Sequence, residues 1–370
     1  MRILYGVAGE GMGHATRSRV VIDALAAKGH EVQAVVSGRA HDYLKARESD
    51  RLGVNRIWGL SIVYEDNEVR NFRTVLENVR GAVAGGWPRN VKAYVDLTDE
   101  FHPDVVVSDF ETWSYLYGKA HGIPVVSVDN NQIVNRCHHP PEVIAGKEPE
   151  YLVAKAVVKA KLPGCFHYLI GTFFYPPVAK RRTTLHPPIL RPEILAARPE
   201  PGDHLLVYQT STSNPALPDI LRRTGVECRI YGLRRELRED LRDGNLVWRP
   251  FSERAFIDDL RTARAVVSGG GFTLMSEAVF LRRPMLAVPV KKQFEQILNA
   301  RYLERIGYGL HADEITEEKV RELLARAPEF EQHLARYTQR GNEELLAKLD
   351  DVLAAAAAQR GSPSEPPEGA

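Results

Sequence analysis

Apolar runs, glycine or polar turns and helical patterns follow one another along this chain in a repeating order. Residues 3–7 are apolar and run into Gly9-Glu10-Gly11-Met12-Gly13-His14; Val21 and Leu25 then mark a helix that stops at Gly29, and residues 31–36 form a second strand. Residues 55–58 and 61–64 are short β-like pieces, and a helical pattern over 68–83 ends at Gly85-Gly86. The phrase Pro103-Asp104-Val105-Val106-Val107-Ser108-Asp109 carries an unbroken β-branched run, the mark of a strand covered on both faces of a parallel sheet. Residues 123–128 repeat that pattern and end in Asp129-Asn130-Asn131-Gln132.

The second half starts the same sequence of elements again. Residues 205–208 lead into Gln209-Thr210-Ser211-Thr212-Ser213-Asn214, residues 229–231 and 246–248 are two further strands, and residues 265–267 feed Gly269-Gly270-Gly271. A helix with Leu274, Ala278 and Leu281 on one face follows that turn. Residues 285–288 end in Pro289, and the next helix opens with Phe294, Glu295, Gln296 and Asn299. Between the halves, Pro187, Pro188, Pro192, Pro199, Pro201 and Gly202 give the composition of a stiff linker. The expected division is 1–186, a linker 187–203, 204–330, a helical tail over 331–359 and a disordered end, 360–370. Helices are expected over 317–327 and 329–359. The fold class is α/β, two Rossmann-like domains with parallel sheets facing across a cleft.

Length agrees with two cores, since 370 residues exceed what one ordinary core organises. With 49 basic and 48 acidic residues there is no global attraction to nucleic acid. Cys137, Cys165 and Cys228 lie far apart without a C-x-x-C pair, which argues against a disulfide framework and a zinc site and suits a reducing cytoplasm. No leader pattern and no apolar window of about eighteen residues is present, so the chain is expected to be soluble or held at a membrane surface. Residues 151–161, where Leu152, Val153, Val157 and Val158 alternate with Lys155, Lys159 and Lys161, form either a basic amphipathic helix for such a surface or a partly buried domain helix.

The first turn invites comparison with a dinucleotide fingerprint, but its spacing is G-x-G-x-G and the second strand ends in Ser37-Gly38-Arg39 where an acid would hold a ribose, so NAD is not expected. Glycine turns ahead of helices do suit an anionic group, because the first helical N–H groups have no intrahelical partner. His14 follows such a turn at the carboxyl end of a strand, where open α/β sheets place ligands, and Asp109 falls on the same edge, either to support a histidine base or to cap its helix. Glu277 leans back along its helix toward the turn, placed either for a ribose or for the helix dipole.

The ordered set Gly269-Gly270-Gly271, Ser276-Glu277 and Glu295-Gln296 resembles the donor-nucleotide half-site of inverting GT-B glycosyltransferases, closest to the lipid-linked peptidoglycan N-acetylglucosaminyltransferases and diacylglycerol galactosyltransferases. The opening loop resembles the Gly-Gly-x-Gly-Gly-His loop of the same families, with departures at Glu10 and Met12, and the phrase around Asp109 resembles a further GT-B subgroup. The likeness implies that Gly269, Gly270, Gly271, Phe272 and Thr273 cradle a diphosphate, with Thr212 and Ser213 on a first phosphate-side loop. It further implies that Glu277 holds the ribose, that Glu295 and Gln296 read sugar hydroxyls, and that position 251 lines the base pocket, where Phe251 offers either a flat face or a core anchor. Glu10, Gly11, Gly13 and His14 line the acceptor side, with His14 as base and Asp109 behind it. The implied reaction is inverting, metal-independent and cofactor-free transfer from a nucleotide sugar, most simply UDP-linked, to a small-molecule, glycan or lipid-linked acceptor, with a peripheral membrane contact through the N-terminal domain. A nucleotide-sugar 2-epimerase and a binding protein without catalysis are the rivals.

Overall fold

A computed structural model of the chain describes residues 1–9, 11–58, 64–65, 68–69, 87–96, 100–210 and 214–359. Its strands in chain order are β1 (Arg2–Val7), β2 (Glu31–Val36), β3 (Leu52–Arg56), β4 (Tyr64–Glu65), β5 (Glu68–Val69), β6 (Val105–Asp109), β7 (Val125–Asp129), β8 (His167–Gly171) and β9 (Thr183–His186). The second half continues with β10 (Leu205–Tyr208), β11 (Cys228–Tyr231), β12 (Leu241–Asp243), β13 (Leu246–Trp248), β14 (Ala265–Ser268), β15 (Met285–Ala287) and β16 (Gly309–His311).

Among the described residues two seven-stranded sheets form, in the orders β3-β2-β1-β6-β7-β8-β9 and β12-β13-β11-β10-β14-β15-β16. The first is parallel throughout, and the second is parallel except at its edge, where β12 runs against β13. Ile3, Leu4, Val105, Val106 and Val107 have no exposed surface, because helices cover both faces and leave a parallel strand no polar side. In each sheet chain order reverses beside the first strand of that half, between β1 and β6 and between β10 and β14, and at such a switch point the loops leaving neighbouring strands diverge and open a crevice. The register sets Val7 opposite Asp109 and Tyr208 opposite Ser268, so Asp109 and the Gly269 turn each sit at a crevice.

Several elements differ from the pattern. Glu68–Val69 pairs antiparallel with Tyr64–Glu65 where a helix was expected to start. The remainder of that helix lies outside the described residues, as does the tail 360–370. Strands β9 and β12 are edge strands, the first partly exposed and the second exposed along its length, and so lack an apolar signature. The expected break at Pro328 is absent. The helix Glu317–Leu334 runs through it, and the carbonyl of Leu324, which Pro328 cannot reach with an N–H, accepts a hydrogen bond from Arg264 at 3.1 Å. The chain turns instead after Leu334, and the helix Glu343–Ala358 lays Leu345, Leu349, Val352, Leu353 and Ala356 into the core that holds Ile3, Tyr5 and Val107.

The proline-rich crossing is equally fixed. Ile189, Leu190 and Ile194 are buried, and Asn342 Nδ2 donates to the carbonyl of Leu190 at 2.8 Å while its Oδ1 accepts from the Leu190 N–H at 2.9 Å. Both passages between the sheets are thus pinned together.

Because Leu349 is fully buried in the core of the first sheet, Leu349→Ala is expected to cost about 2–5 kcal/mol. Urea unfolding followed by near-ultraviolet circular dichroism should show that loss; a change under about 0.5 kcal/mol would mean that the last helix does not hold the first sheet.

Candidate active site

The helix Met12–Ala27 starts at Gly11, whose φ of 86° belongs to glycine's left-handed region, and no side chain caps it. His14 in its first turn places Nδ1 2.9 Å from Oδ1 of Asp109, which is buried. Ser18 Oγ donates to Asp109 Oδ2 at 2.8 Å, and Arg17 grips both carboxylate oxygens, with Nε to Oδ2 at 2.8 Å and a terminal nitrogen to Oδ1. Burial by itself would raise the Asp109 carboxyl, but the Arg17 guanidinium and His14 overcome it and hold the group well below the usual carboxylate range. The capping alternative fails here: Glu111 is the N-cap of the helix Thr112–Ala120, its carboxylate accepting from the N–H groups of Trp113 and Ser114.

Across the cleft, the helix Phe272–Phe280 starts at Gly271, also without a side-chain cap and without an acid in its first turn. Gly270 has to be glycine, since a Cβ there would lie 2.5 Å from the carbonyl oxygen of Gln296. Asn299 Nδ2 donates to the Gly270 carbonyl at 3.2 Å and fixes the turn. The two turns meet. A Cβ on Gly13 would lie 2.6 Å from Thr273 Oγ1, so the uncapped start of one helix abuts that of the other. Phe272 stacks on Phe173 of the first half, ring centroids 5.8 Å apart, which closes one side of the junction.

Glu295 and Gln296 have divided uses. Asn130 Nδ2 and Asn131 Nδ2 each donate to one Glu295 oxygen at 2.6 Å, bridging the cleft, and Asn130 Oδ1 accepts from Arg17 in turn. Asn131 Oδ1 is buried and has no partner among the described residues. Gln296 Oε1 accepts from the Val290 N–H at 3.0 Å, a contact within its own half. Phe251 is 74% exposed, so it is no core anchor; its ring is open to solvent before the helix Glu253–Thr262. Glu10, Thr212 and Ser213 lie outside the described residues.

Glu277 departs from its expected place. It is 2% exposed, and Arg191 from the proline-rich crossing donates to both its oxygens, Nε at 2.7 Å and a terminal nitrogen at 2.8 Å, while also reaching Glu253 at 2.7 Å. A ribose would have to compete with a bidentate guanidinium, the stronger partner for a planar carboxylate. Sequence spacing placed Glu277 near the turn and had no means of showing a cation from a crossing 86 residues earlier. Arg17, Asn130 and Asn131 were likewise not expected at the site, although Arg17 at i+3 from His14 on one helix and the Asn pair at the end of β7 were local signals available to find them.

Among the described residues no three His, Cys, Asp or Glu side chains gather as a metal site, and no helix is long and apolar enough to cross a membrane.

Comparison with known proteins adds four likenesses. Residues 1–328 match the family model described as Glycosyl transferase family 1. The chain is 22% identical to an uncharacterized glycosyltransferase of Methanosarcina acetivorans, over 97% of its own length and 95% of the relative's. It is 30% identical to the UDP-N-acetylglucosamine--N-acetylmuramyl-(pentapeptide) pyrophosphoryl-undecaprenol N-acetylglucosamine transferase 3 of Bacillus cereus, over 25% of this chain and 29% of that one. Among solved structures, LpCGTa in complex with UDP matches in fold with a TM-score of 0.61 at 15% identity, covering 95% of this chain and 98% of that one.

The Arg191–Glu277 pair is buried, so breaking it from one side strands a charge. Arg191→Ala is expected to lower stability by about 3–5 kcal/mol, and Arg191→Met/Glu277→Gln to recover most of that loss. Equilibrium urea unfolding of the three proteins tests this; equal losses in the single and double variants would show that packing around Arg191, rather than the Glu277 charge, carries the effect.

Proposed function

Because the chain belongs to glycosyl transferase family 1 and has the two-domain GT-B architecture of such enzymes, we propose that it is an inverting transferase that moves a sugar from a UDP-linked donor to an acceptor hydroxyl without a metal ion. The observation that carries the reading is the junction of Gly13 and Thr273, which sets a histidine backed by a buried carboxylate against the uncapped start of a helix. Inverting displacement needs a base on one side of the anomeric carbon and charge stabilisation on the other. With Nδ1 protonated toward Asp109, His14 Nε2 takes the acceptor proton as the new O–C bond forms, and the imidazolium is paired as it appears. The old C–O bond breaks with its electron pair going to the UDP phosphate, and the N–H groups of residues 270–273 receive that charge.

The exposed ring of Phe251 is the proposed face for the base, and Glu295 with the unpartnered Asn131 Oδ1 the proposed reader of sugar hydroxyls. Glu277 is not assigned to the ribose, since Arg191 fills it. UDP is favoured over other nucleotides because the Bacillus cereus relative is named for a UDP-sugar and LpCGTa was solved with UDP.

An acceptor at a membrane is the second part of the reading, and one helix supports it. Leu152, Val153 and Val157 of Glu148–Lys161 are 63%, 59% and 55% exposed, while Val158 on the opposite side is buried. The outward arc is therefore the apolar one. Residues 151–161 contain no acid and three lysines, a charge pattern that suits an anionic lipid surface on the cytoplasmic side.

Incubation with a panel of UDP-sugars in chelator tests the chemistry. UDP at a hundredfold over its dissociation constant should stabilise the protein by about 2.7 kcal/mol with no metal added, and UDP-sugar should be slowly hydrolysed when no acceptor is present. His14→Ala should slow turnover by roughly a hundred to ten-thousandfold and leave UDP affinity nearly intact. An epimerised donor, or binding with no bond cleaved, would replace the transferase reading.

For the lipid contact, sedimentation with vesicles containing phosphatidylglycerol should exceed that with phosphatidylcholine alone and weaken with salt. Leu152→Ser/Val153→Ser/Val157→Ser should reduce it about tenfold or more, since each aliphatic side chain is worth about 1.5–3 kcal/mol when fully buried. Equal sedimentation of the triple variant would remove this helix from the membrane reading.

A further inference from the structure

Arg17 lies one turn after His14 on the same helix, so both side chains leave one face. Its guanidinium is fully committed. Nε and one terminal nitrogen hold Asp109, the same terminal nitrogen lies 2.8 Å from His14 Nδ1, and the other terminal nitrogen donates to Asn130 Oδ1. Asn130 is itself held from the opposite half by Glu295, so the cation is fixed at both ends.

Nδ1 of His14 therefore faces a carboxylate oxygen at 2.9 Å and a guanidinium nitrogen at 2.8 Å. It either donates a proton to the first or accepts one from the second, never both. With the proton on Nδ1, Nε2 carries a lone pair and can act as a base; with Nδ1 accepting from Arg17, Nε2 holds the proton and cannot. Charge counting gives the complementary constraint. Neutral His14 leaves the Arg17–Asp109 pair balanced, whereas an imidazolium makes the three groups net positive where the Arg17 and Asp109 side chains are only 11% and 1% exposed. Asp109 alone would hold the imidazolium, and a guanidinium in contact with the ring opposes it. The other acids acting on Arg17 are Asp129, at the end of β7, and Glu295, from across the cleft; Ser18 is the neutral neighbour that shares Asp109.

We propose that Arg17 is a positioning residue for the reaction, the group that returns His14 to its neutral, proton-accepting form by opposing the imidazolium that Asp109 would otherwise retain. The proposal rests on His14 being the base. It predicts that the enzyme without Arg17 keeps a protonated, idle histidine over a wider range of acid pH, and that turnover recovers when the medium is made alkaline. A role confined to folding or packing would lower activity equally at every pH.

The test is a titration of His14 by NMR in protein labelled with 15N-histidine, the resonance being identified by its loss in His14→Gln. In Arg17→Gln the midpoint should rise by about one pH unit or more, a tenfold change in proton affinity, and the acid limb of kcat/KM should move with it. Arg17→Lys, which keeps the charge without the fork, should stay within about half a unit of the wild type and lose mainly kcat. If Arg17→Gln does not fold, Asp109→Asn and Asp109→Asn/Arg17→Gln provide the same comparison without leaving Asp109 unpaired, and the midpoint should again be higher in the protein that lacks Arg17. An unmoved midpoint in the folded variants overturns the proposal. The titration needs no turnover, so a midpoint that moves in a protein that transfers no sugar counts against the transferase reading and not against the role of Arg17.

Discussion

A carboxylate with no exposed surface has to be compensated where it stands, and the first half of this protein is arranged around the compensation of Asp109. The parallel register of β1 and β6 delivers the acid to the crevice edge, and the glycine turn after β1 starts a helix whose His14, Arg17 and Ser18 all reach it. Three donors from Arg17 and Ser18, with the His14 ring nitrogen beside them, hold the two carboxylate oxygens in one orientation. The orientation of His14 follows from that, since the imidazole has one direction in which Nδ1 meets the cluster.

The same cluster extends across the cleft. Arg17 reaches Asn130, Asn130 and Asn131 hold Glu295, and the start of one helix touches the start of the other at Gly13 and Thr273. Apolar packing supports that contact from one side. Phe174 stacks on Tyr302 with centroids 4.1 Å apart, and His139, which burial lowers to about 4, lies with Nδ1 3.0 Å from the Tyr302 hydroxyl and Nε2 3.0 Å from the Ile133 carbonyl. A histidine kept neutral there adds no charge to an interface that already contains Arg301, whose guanidinium donates to the carbonyls of Val143 and Ala145. Polar contacts near the reacting groups and apolar contacts behind them divide the work of joining the halves.

The crossing between the halves is structural in a stronger sense than its proline content suggests. Arg191 ties it to Glu277 and Glu253 in the second half, Glu193 accepts from the buried Arg19 of the first at 2.8 Å, and Asn342 joins it to the returning chain. Movement of one half against the other would have to strain or exchange these pairs, which links the geometry of the crevice to its hinge.

What is local or periodic could be read from the order of residues alone. Uninterrupted valines in 105–107, glycines ahead of helices, and the repeat of one strand-turn-helix order were enough for two parallel sheets and for His14, Asp109 and the Gly269 turn at their carboxyl edges, because backbone sterics and solvent exclusion act over a few residues. Which polar groups meet was settled by the packing of distant segments. Glu277 found Arg191 rather than open cleft, Glu295 found two asparagines about 165 positions away, and Leu324 found Arg264 in place of the donor that Pro328 lacks. Each of those pairings depends on where a whole domain or a chain crossing comes to rest, and the pairing of a buried charge carries no trace in the spacing of its neighbours.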